Sequence, residues 1–213
     1  EFEGKQLFKK HGIETPRGVV VRRGDDVASL YKALGISEVV IKAQVLSGKR
    51  GKNNGIRFCS TEAEVVSAVS DLFSISIRDQ YVFAVLIEEK LQIAEEHYLS
   101  ISYNTKTKQP MMVYSKKGGM DIEEVQESEI FTKDFDVRLQ KIDNDDIPFI
   151  QQLWDCFISE DARVAEINPL VKTVSGRFVA ADAKIALDDD AFYRHESWKD
   201  FEPRSMMGRL PTE

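Results

Sequence analysis

Short β-branched segments alternate with amphipathic helical segments along this chain, without the regular βαβ repeat of a doubly wound sheet. The clearest helix signal is the capping-box spacing of Thr61 and Glu64 ahead of an apolar run. The pattern predicts an α+β fold in two lobes. Strands are expected at residues 19–21, 38–44, 56–59, 82–88, 97–103, 111–115 and in a hairpin over 163–187, with helices that close at Gly12 or span about 25–34, 65–73 and 150–158.

Charge and cysteine content argue against several classes of protein. The formal net charge of −7 disfavours nucleic-acid binding, because phosphate backbones are bound by an excess of clustered Lys and Arg. No apolar run approaches the ~18 residues that cross a bilayer, so no membrane partner is expected. Only Cys59 and Cys156 occur, without a CxxC spacing, which disfavours a zinc site or a disulfide framework and favours a reducing compartment.

A basic, glycine-rich segment follows the apolar strand candidate that contains Lys42. Its glycines let the backbone approach an anion closely, and its cations concentrate positive charge in an acidic protein. It lacks the GxxxxGK[ST] spacing of a Walker A loop. Two interpretations stay open from the residues alone: a loop that covers phosphates, or a flexible basic loop on the surface. The segment runs from residue 42 to 55 and includes Gly48, Lys49, Arg50, Gly51, Lys52 and Gly55.

Acidic and amide side chains occupy two neighbouring strand candidates near the end of the chain. A three-residue loop at 174–176, ending in a left-handed glycine, would place Asn168 opposite Asp182. It would also place Glu166 opposite Lys184. An amide oxygen beside a carboxylate suits Mg²⁺, which completes its shell with water and phosphate oxygens. The alternative is an ordinary hairpin with a Glu–Lys cross-strand pair.

A weaker signal lies at the end of the strand candidate over 82–88. Backbone groups at such an end can bind an adenine edge, and a nearby carboxylate can accept hydrogen bonds from ribose hydroxyls, so Glu88 and Glu96 are candidates for a nucleotide site. Charged residues at a strand end are more commonly just solvated. No histidine lies beside a recognisable nucleophile, so no catalytic triad is predicted for His11, His97 or His195.

Six stretches of the sequence carry a resemblance to a known family: residues 2–8, 15–18, 42–55, 118–123, 166–171 and 182–184. Their residues and their order resemble the β subunits of succinyl-CoA synthetases. Similar blocks occur in the ATP-grasp parts of ATP-citrate lyase and citryl-CoA synthetase, and the resemblance covers residues 2 to about 194. It implies an ATP-grasp fold that clamps a Mg-nucleotide between a smaller lobe at 17–88 and a larger lobe at 1–16 and 89–197. Residues 198–213 would be a linker toward a C-terminal CoA-ligase domain that this sequence lacks.

The resemblance also implies roles for individual residues. The positions that contact nucleotide phosphates or lie near them are Lys42, Lys49, Arg50 and Gly51. The positions near the base and the ribose are Glu88, Leu91 and Glu96. The Mg²⁺ ligands would be Asn168 and Asp182, and Glu166 would be the catalytic acid that faces a phosphohistidine.

The implied reaction is that of an ADP- or GDP-forming acid–CoA ligase. ATP, or alternatively GTP, phosphorylates an acid, a histidine of a CoA-binding α subunit carries the phosphoryl group, and CoA displaces it to form a thioester. The expected partners are that α subunit, CoA and a small carboxylic acid such as succinate or citrate, in a hetero-oligomer located in the cytoplasm, or in the mitochondrial matrix of a eukaryote. The alternatives are the ATP-grasp part of ATP-citrate lyase or citryl-CoA synthetase, a non-catalytic nucleotide-binding module, and an amide-forming ATP-grasp ligase.

Overall fold

Among the residues that the structure describes, each of the two compact units is built on one large antiparallel sheet, and one of the units also contains a two-stranded sheet. The computed structural model describes residues 1–46, 48, 50–142 and 146–201. We call Pro16–Leu91 the small unit, and Glu1, Glu3–Thr15 and Gln92–Lys199 together the large unit. The first helix, α1 (Phe2–Lys10), opens the chain, and its C-terminal turn ends at His11 before Gly12.

The small unit contains a four-stranded sheet with helices packed against it. The inner strand that carries Lys42 is buried at all six positions: Val39, Ile41 and Ala43 belong to the apolar core with the helices, and Val40, Lys42 and Gln44 alternate with them on the opposite face. Thr61 and Glu64 form the predicted capping box at the start of the helix Glu62–Ser74. The elements are β1 (Gly18–Arg22), α2 (Val27–Leu34), β2 (Val39–Gln44), β3 (Ile56–Cys59), α3 (Glu62–Ser74), β4 (Ser76–Ile77), β5 (Gln80–Tyr81) and β6 (Ala84–Glu89), with sheet order β1-β6-β2-β3.

The large unit contains a six-stranded sheet, and the apolar face of one helix is buried in the core of this unit. Leu153, Trp154 and Phe157 of that helix are almost fully buried, as their helical spacing predicts. The elements are β7 (Ile93–Tyr103), β8 (Pro110–Ser115), β9 (Ile130–Asp134), α4 (Ile150–Ser159), β10 (Ala162–Thr173), β11 (Phe178–Ala180) and β12 (Lys184–Leu187), in the order β11-β10-β7-β8-β9 with β12 also paired to β10.

The C-terminal hairpin has the predicted register but not the predicted pairing at its middle. Gly176 has a φ of 85°, and Glu166 lies opposite Lys184, as expected. Asn168 and Asp182 lie in the gap between the β10–β11 and β10–β12 ladders and do not form a ladder pair. The reason is Pro169, which has no N–H to give to a ladder; its carbonyl instead accepts a hydrogen bond from Ala181 N at 3.1 Å.

Several elements were not predicted. β9 lies in an acidic stretch with no clear period, and β4 and β5 are only two residues each, too short to give a strand signal. In the part of the chain that the structure describes, five 3-10 helices also lie outside the predictions: Gly51–Asn53, Ile122–Glu124, Glu127–Glu129, Asp189–Arg194 and Glu196–Asp200. Within the ranges described above, no helix is long and apolar enough to span a bilayer.

Asp161 attaches the 3-10 helix Asp189–Arg194 to the sheet of the large unit. Its carboxylate accepts hydrogen bonds from Arg194 Nε at 2.8 Å and Nη2 at 2.7 Å, and it also contacts His195 Nε2. These contacts, with those to Arg194 the strongest, lower the pKa of Asp161 from 3.8 to about 2.

Because the folded-state pKa lies below the unfolded one, Asp161 stabilises the fold above pH 4, and this contribution is lost as the pH falls toward 2. The partners are partly exposed to solvent, so we expect a contribution of about 1 kcal/mol. The free energy of unfolding of Asp161→Asn, measured with urea, should therefore be lower than that of wild type by this amount at pH 7. It should also fall less steeply than that of wild type between pH 5 and pH 2. Asp190→Asn, which changes an exposed carboxylate on the same 3-10 helix, should behave as wild type. Equal acid sensitivity in all three proteins would contradict the assignment.

Candidate functional site

A buried ion pair joins β2 and β6 in the small unit. Lys42 Nζ lies 3.0 Å from Glu88 Oε2, and the two side chains are 11% and 2% exposed. Lys42 pairs with Leu86 and Val40 with Glu88 across the two strands, so Lys42 and Glu88 are diagonal neighbours on one face. A buried ammonium requires such a counter-ion, because desolvation of an isolated charge costs several kcal/mol. Glu88 thus holds the Lys42 side chain in place.

The basic segment after β2 folds back on itself. Arg50 is buried, and its Nη1 donates to Ala43 O at 3.1 Å. Arg50 O in turn accepts hydrogen bonds from Asn53 N at 3.1 Å and from Gly55 N at 2.8 Å. Arg50 therefore supports residues 50–55 from inside, whereas Gly51 is exposed at the start of the 3-10 helix Gly51–Asn53. Lys49, one of the predicted phosphate contacts, lies outside the described residues.

In the large unit, a glycine turn crosses closely over β7. A Cβ added to Gly118 would lie 2.1 Å from His97 O, and one added to Gly119 would lie 2.6 Å from Glu96 Oε2. Gly118 N donates to Glu96 O at 2.8 Å. The Glu96 side chain is half-buried under this turn, and burial raises its pKa. Only glycine permits this approach of the turn to the strand.

The same turn holds Asn168. Gly119 N donates to Asn168 Oδ1 at 2.8 Å, and Asn168 Nδ2 donates to Met120 O at 2.9 Å. Both ends of the amide are thereby oriented, which fixes the position of Oδ1. An amide oxygen has two lone pairs, and the bond from Gly119 uses one of them. Asn168 can therefore accept a second partner without losing its support.

Glu166 lies two residues before Asn168 on β10 and is held by a tyrosine. Tyr98 Oη donates to Glu166 Oε2 at 3.0 Å, and Lys184 Nζ lies 3.8 Å from the same oxygen. Burial, and secondarily the negative charge of Glu166, raises the pKa of Tyr98. Tyr98 hence remains a neutral hydrogen-bond donor over the whole physiological range. Sequence reasoning missed Tyr98; its position two residues after Glu96 on an alternating strand was the one available signal.

Asp182 lies beyond the gap in the hairpin, and its Oδ1 accepts a hydrogen bond from Ala183 N at 2.7 Å. Within the described ranges, no three His, Cys, Asp or Glu side chains cluster as a metal cage. Asn168 and Asp182 together offer an amide oxygen and a carboxylate, a partial set of hard oxygen donors. That donor chemistry fits Mg²⁺, since Mg²⁺ usually keeps several waters and binds phosphate oxygens alongside one or two protein ligands. The residues present therefore fit the implied cation.

The side chains of Leu91 and His97 take no part in the contacts described above. Leu91 is half-buried at the end of the small unit. His97 is buried, with Nδ1 2.8 Å from Tyr114 Oη and Nε2 2.9 Å from Glu95 Oε2, and so is a packing residue of the large unit. Lys42, Arg50, Gly51, Glu88 and Leu91 belong to the small unit, and Glu96, Glu166, Asn168 and Asp182 to the large unit.

Comparisons with known proteins agree with this fold. The succinate–CoA ligase (ADP-forming) subunit beta of Methanocaldococcus jannaschii is 38% identical in an alignment of 231 positions, gaps included, that covers 99% of this chain and 62% of that subunit. The corresponding subunit of Methanothermobacter thermautotrophicus is 37% identical and matches 95% of this chain and 60% of its own length. The chain therefore spans less than two thirds of these relatives.

A solved structure shows the same fold. The ATP citrate lyase of Methanothrix soehngenii, in complex with citrate and coenzyme A, aligns with a TM-score of 0.70 at 19% identity, over 92% of this chain and 50% of that one. The sequence model of the ATP-grasp domain matches residues 1–132, more than half of this chain. The chain belongs to the ATP-grasp domain family.

Proposed function

We propose that this chain is the nucleotide-binding part of an ADP-forming acid–CoA ligase of the succinate–CoA ligase type. It would bind Mg-ATP and exchange the γ-phosphoryl group with a histidine on a CoA-binding partner subunit. The observation that carries the proposal is the break in the C-terminal hairpin: Asn168 and Asp182 lie at this break, and Glu166, two residues before Asn168, accepts a hydrogen bond from Tyr98. An ordinary structural hairpin does not need these three side chains at such a break.

Each residue would have a distinct task. Lys42, held by Glu88, would bind phosphate oxygens, and the loop with Gly51 at its exposed turn would approach them through its backbone. Asn168 and Asp182 would hold Mg²⁺. When bound, Mg²⁺ would neutralise charge on the transferring phosphoryl group.

Glu166 would accept a hydrogen bond from the partner's histidine, so that the opposite ring nitrogen points at phosphorus. Tyr98 keeps the Glu166 carboxylate oriented for that contact. As the γ-phosphorus binds the imidazole nitrogen, its bond to the β,γ-bridging oxygen breaks and ADP leaves. Positioning of this kind supplies much of the rate enhancement in phosphoryl transfer.

The acid, the nucleotide and the partner subunit in this proposal are chosen by similarity to the relatives. Their name, succinate–CoA ligase (ADP-forming) subunit beta, supports succinate as the first acid to test and ATP as the first nucleotide. A partner subunit would complete a hetero-oligomer, in the cytoplasm or, in a eukaryote, in the mitochondrial matrix. GTP and citrate are the competitors that the assay below should include.

The test is phosphoryl transfer from ATP labelled at the γ position. The chain is mixed with Mg²⁺ and the purified CoA-binding subunit of a succinate–CoA ligase, and label on that subunit is assayed for acid lability and base stability, the signature of phosphohistidine. We expect labelling that requires this chain and is discharged when succinate and CoA are added. Labelling that never exceeds the level without the chain would reject the proposal. Discharge by citrate rather than succinate would reassign the acid.

A further inference from the structure

One charged side chain of the large unit is buried far from any predicted site residue in sequence. Lys5, on α1, is only 4% exposed. Its Nζ lies 2.7 Å from Glu1 Oε1 and donates to Ala181 O at 2.8 Å, a contact that spans 176 residues of sequence. A lysine is rarely buried to this degree unless its ammonium is paired and hydrogen-bonded. Its position one turn before the fully buried Phe8 would suit an apolar residue.

The acceptor of this bond, Ala181, directly precedes one proposed metal ligand and is hydrogen-bonded to the residue that follows the other. Ala181 N donates to Pro169 O at 3.1 Å, and Pro169 directly follows Asn168. On its other side, Ala181 directly precedes Asp182. The amide of Ala181 thus links its segment to that of Asn168, while its carbonyl links the segment to Lys5.

The first turn of α1 also packs against the residue that follows Asp182. A Cβ added to Gly4 would lie 3.2 Å from Ala183 Cβ, so the helix backbone is in close contact with this segment. Residues 181–183 are therefore held by α1 at both ends, through the Ala181 carbonyl and the Ala183 side chain. A backbone held in this way leaves little freedom to the carboxylate of Asp182.

We infer that Lys5 is a positioning residue for the divalent-cation site: it holds the Ala181–Asp182 peptide so that Asp182 faces the cation beside Asn168. This inference rests on the proposed Mg²⁺ role of Asn168 and Asp182. The ammonium suits the task because it has three donors and can bind Glu1 and a carbonyl together. The carboxylate of Glu1 offsets its charge, so the anchor does not repel a cation strongly.

The experiment compares Lys5→Met with Lys9→Met, which removes an exposed lysine from the same helix. Binding of a fluorescent ATP analogue is titrated with Mg²⁺ and, separately, in EDTA. We expect Lys5→Met to raise the Mg²⁺ concentration needed for half-maximal binding about tenfold, the usual effect of losing a group that supports a metal ligand. Nucleotide affinity in EDTA should stay within about twofold of wild type, and Lys9→Met should match wild type in both titrations.

A double variant separates positioning from charge burial. Glu1→Gln combined with Lys5→Met removes both members of the buried pair, so the stability lost in Lys5→Met should largely return. The raised Mg²⁺ concentration for half-maximal binding should persist, because the double variant still lacks the hydrogen bond from Lys5 to Ala181 O. Recovery of both would overturn the inference. So would an equal loss of affinity with Mg²⁺ and in EDTA, because that describes a role in folding alone.

Asp182→Asn tells this inference apart from the proposed function. Suppose that ATP binding by Asp182→Asn no longer depends on Mg²⁺, while Lys5→Met needs no more Mg²⁺ than wild type for half-maximal binding. In that case Lys5 has no positioning role and the proposed function stands. If Asp182→Asn keeps the full Mg²⁺ dependence of wild type, the proposed metal site itself is wrong, and the inference is rejected with it.

Discussion

Replacing Gly118 with alanine should severely destabilise the large unit. The new Cβ would lie 2.1 Å from His97 O, 2.4 Å from His97 C and 2.9 Å from His97 N, all of them backbone atoms of a central strand that cannot move cheaply. Overpacking against a rigid neighbour typically costs 1–3 kcal/mol, and this contact is far tighter than most, so we expect a loss of at least about 3 kcal/mol. For a chain of this size that corresponds to a drop in Tm of roughly 6–12 °C.

The same substitution should also weaken metal binding, because the turn that it displaces holds both ends of the Asn168 amide. Calorimetric unfolding measures the first effect, and Mg²⁺ titration of ATP binding below the transition measures the second. Gly48→Ala is the control, since a Cβ at Gly48 meets no atom within 4 Å; it should stay within about 1 °C of wild type. A Gly118→Ala protein as stable as the control would show that the turn does not cross β7 as described.

Lys42→Met should produce the largest loss of nucleotide affinity in the small unit. Loss of a charge-assisted contact to phosphate costs roughly 1.5–3 kcal/mol, or about 10- to 140-fold in Kd. The substitution also removes the ammonium that faces the buried Glu88 carboxylate, so we expect the unfolding free energy to fall by about 3 kcal/mol. Isothermal titration with ATP and urea unfolding measure the two effects separately.

A second substitution distinguishes binding from folding. Lys42→Met with Glu88→Gln removes the buried negative charge as well, so most of the stability should return while the affinity for ATP stays low. Lys90→Met is the matched control: Lys90 pairs with Glu38 at 3.0 Å, but both side chains are well exposed, and such pairs contribute at most about 1 kcal/mol. If the double variant binds ATP as wild type does, Lys42 serves the fold and not the ligand.

Features encoded by a few adjacent residues could be predicted from the sequence. Thr61 and Glu64 specify a helix start through their own side chains, and Gly176 specifies a hairpin loop through the conformation that it alone adopts easily. From that loop the opposition of Glu166 and Lys184 follows by counting. The break at Asn168 was harder to foresee, because the effect of a proline within a strand depends on which neighbour its missing donor would have faced.

Contacts between distant residues could not be predicted in this way. The nucleotide role predicted for Glu88 stays a prediction, but its contact with Lys42 at 3.0 Å follows from the strand order and could not be predicted from the sequence. Tyr98 reaches Glu166 across 68 residues, and Lys5 reaches Ala181 across 176. No local pattern encodes such pairs, since they arise only when the sheet assembles. The one available hint for Lys5 was a charge at a helix position whose spacing suits an apolar residue.

A calorimetric titration of the chain with ATP, carried out in Mg²⁺ and repeated in EDTA, tests most directly whether the chain binds a Mg-nucleotide. We expect one binding site whose affinity is at least about tenfold higher with Mg²⁺, and we expect Asp182→Asn to lose that difference. No heat of binding in Mg²⁺, or the same affinity in EDTA and in Mg²⁺ for wild type, would contradict the claim that Asn168 and Asp182 hold the cation of a Mg-nucleotide.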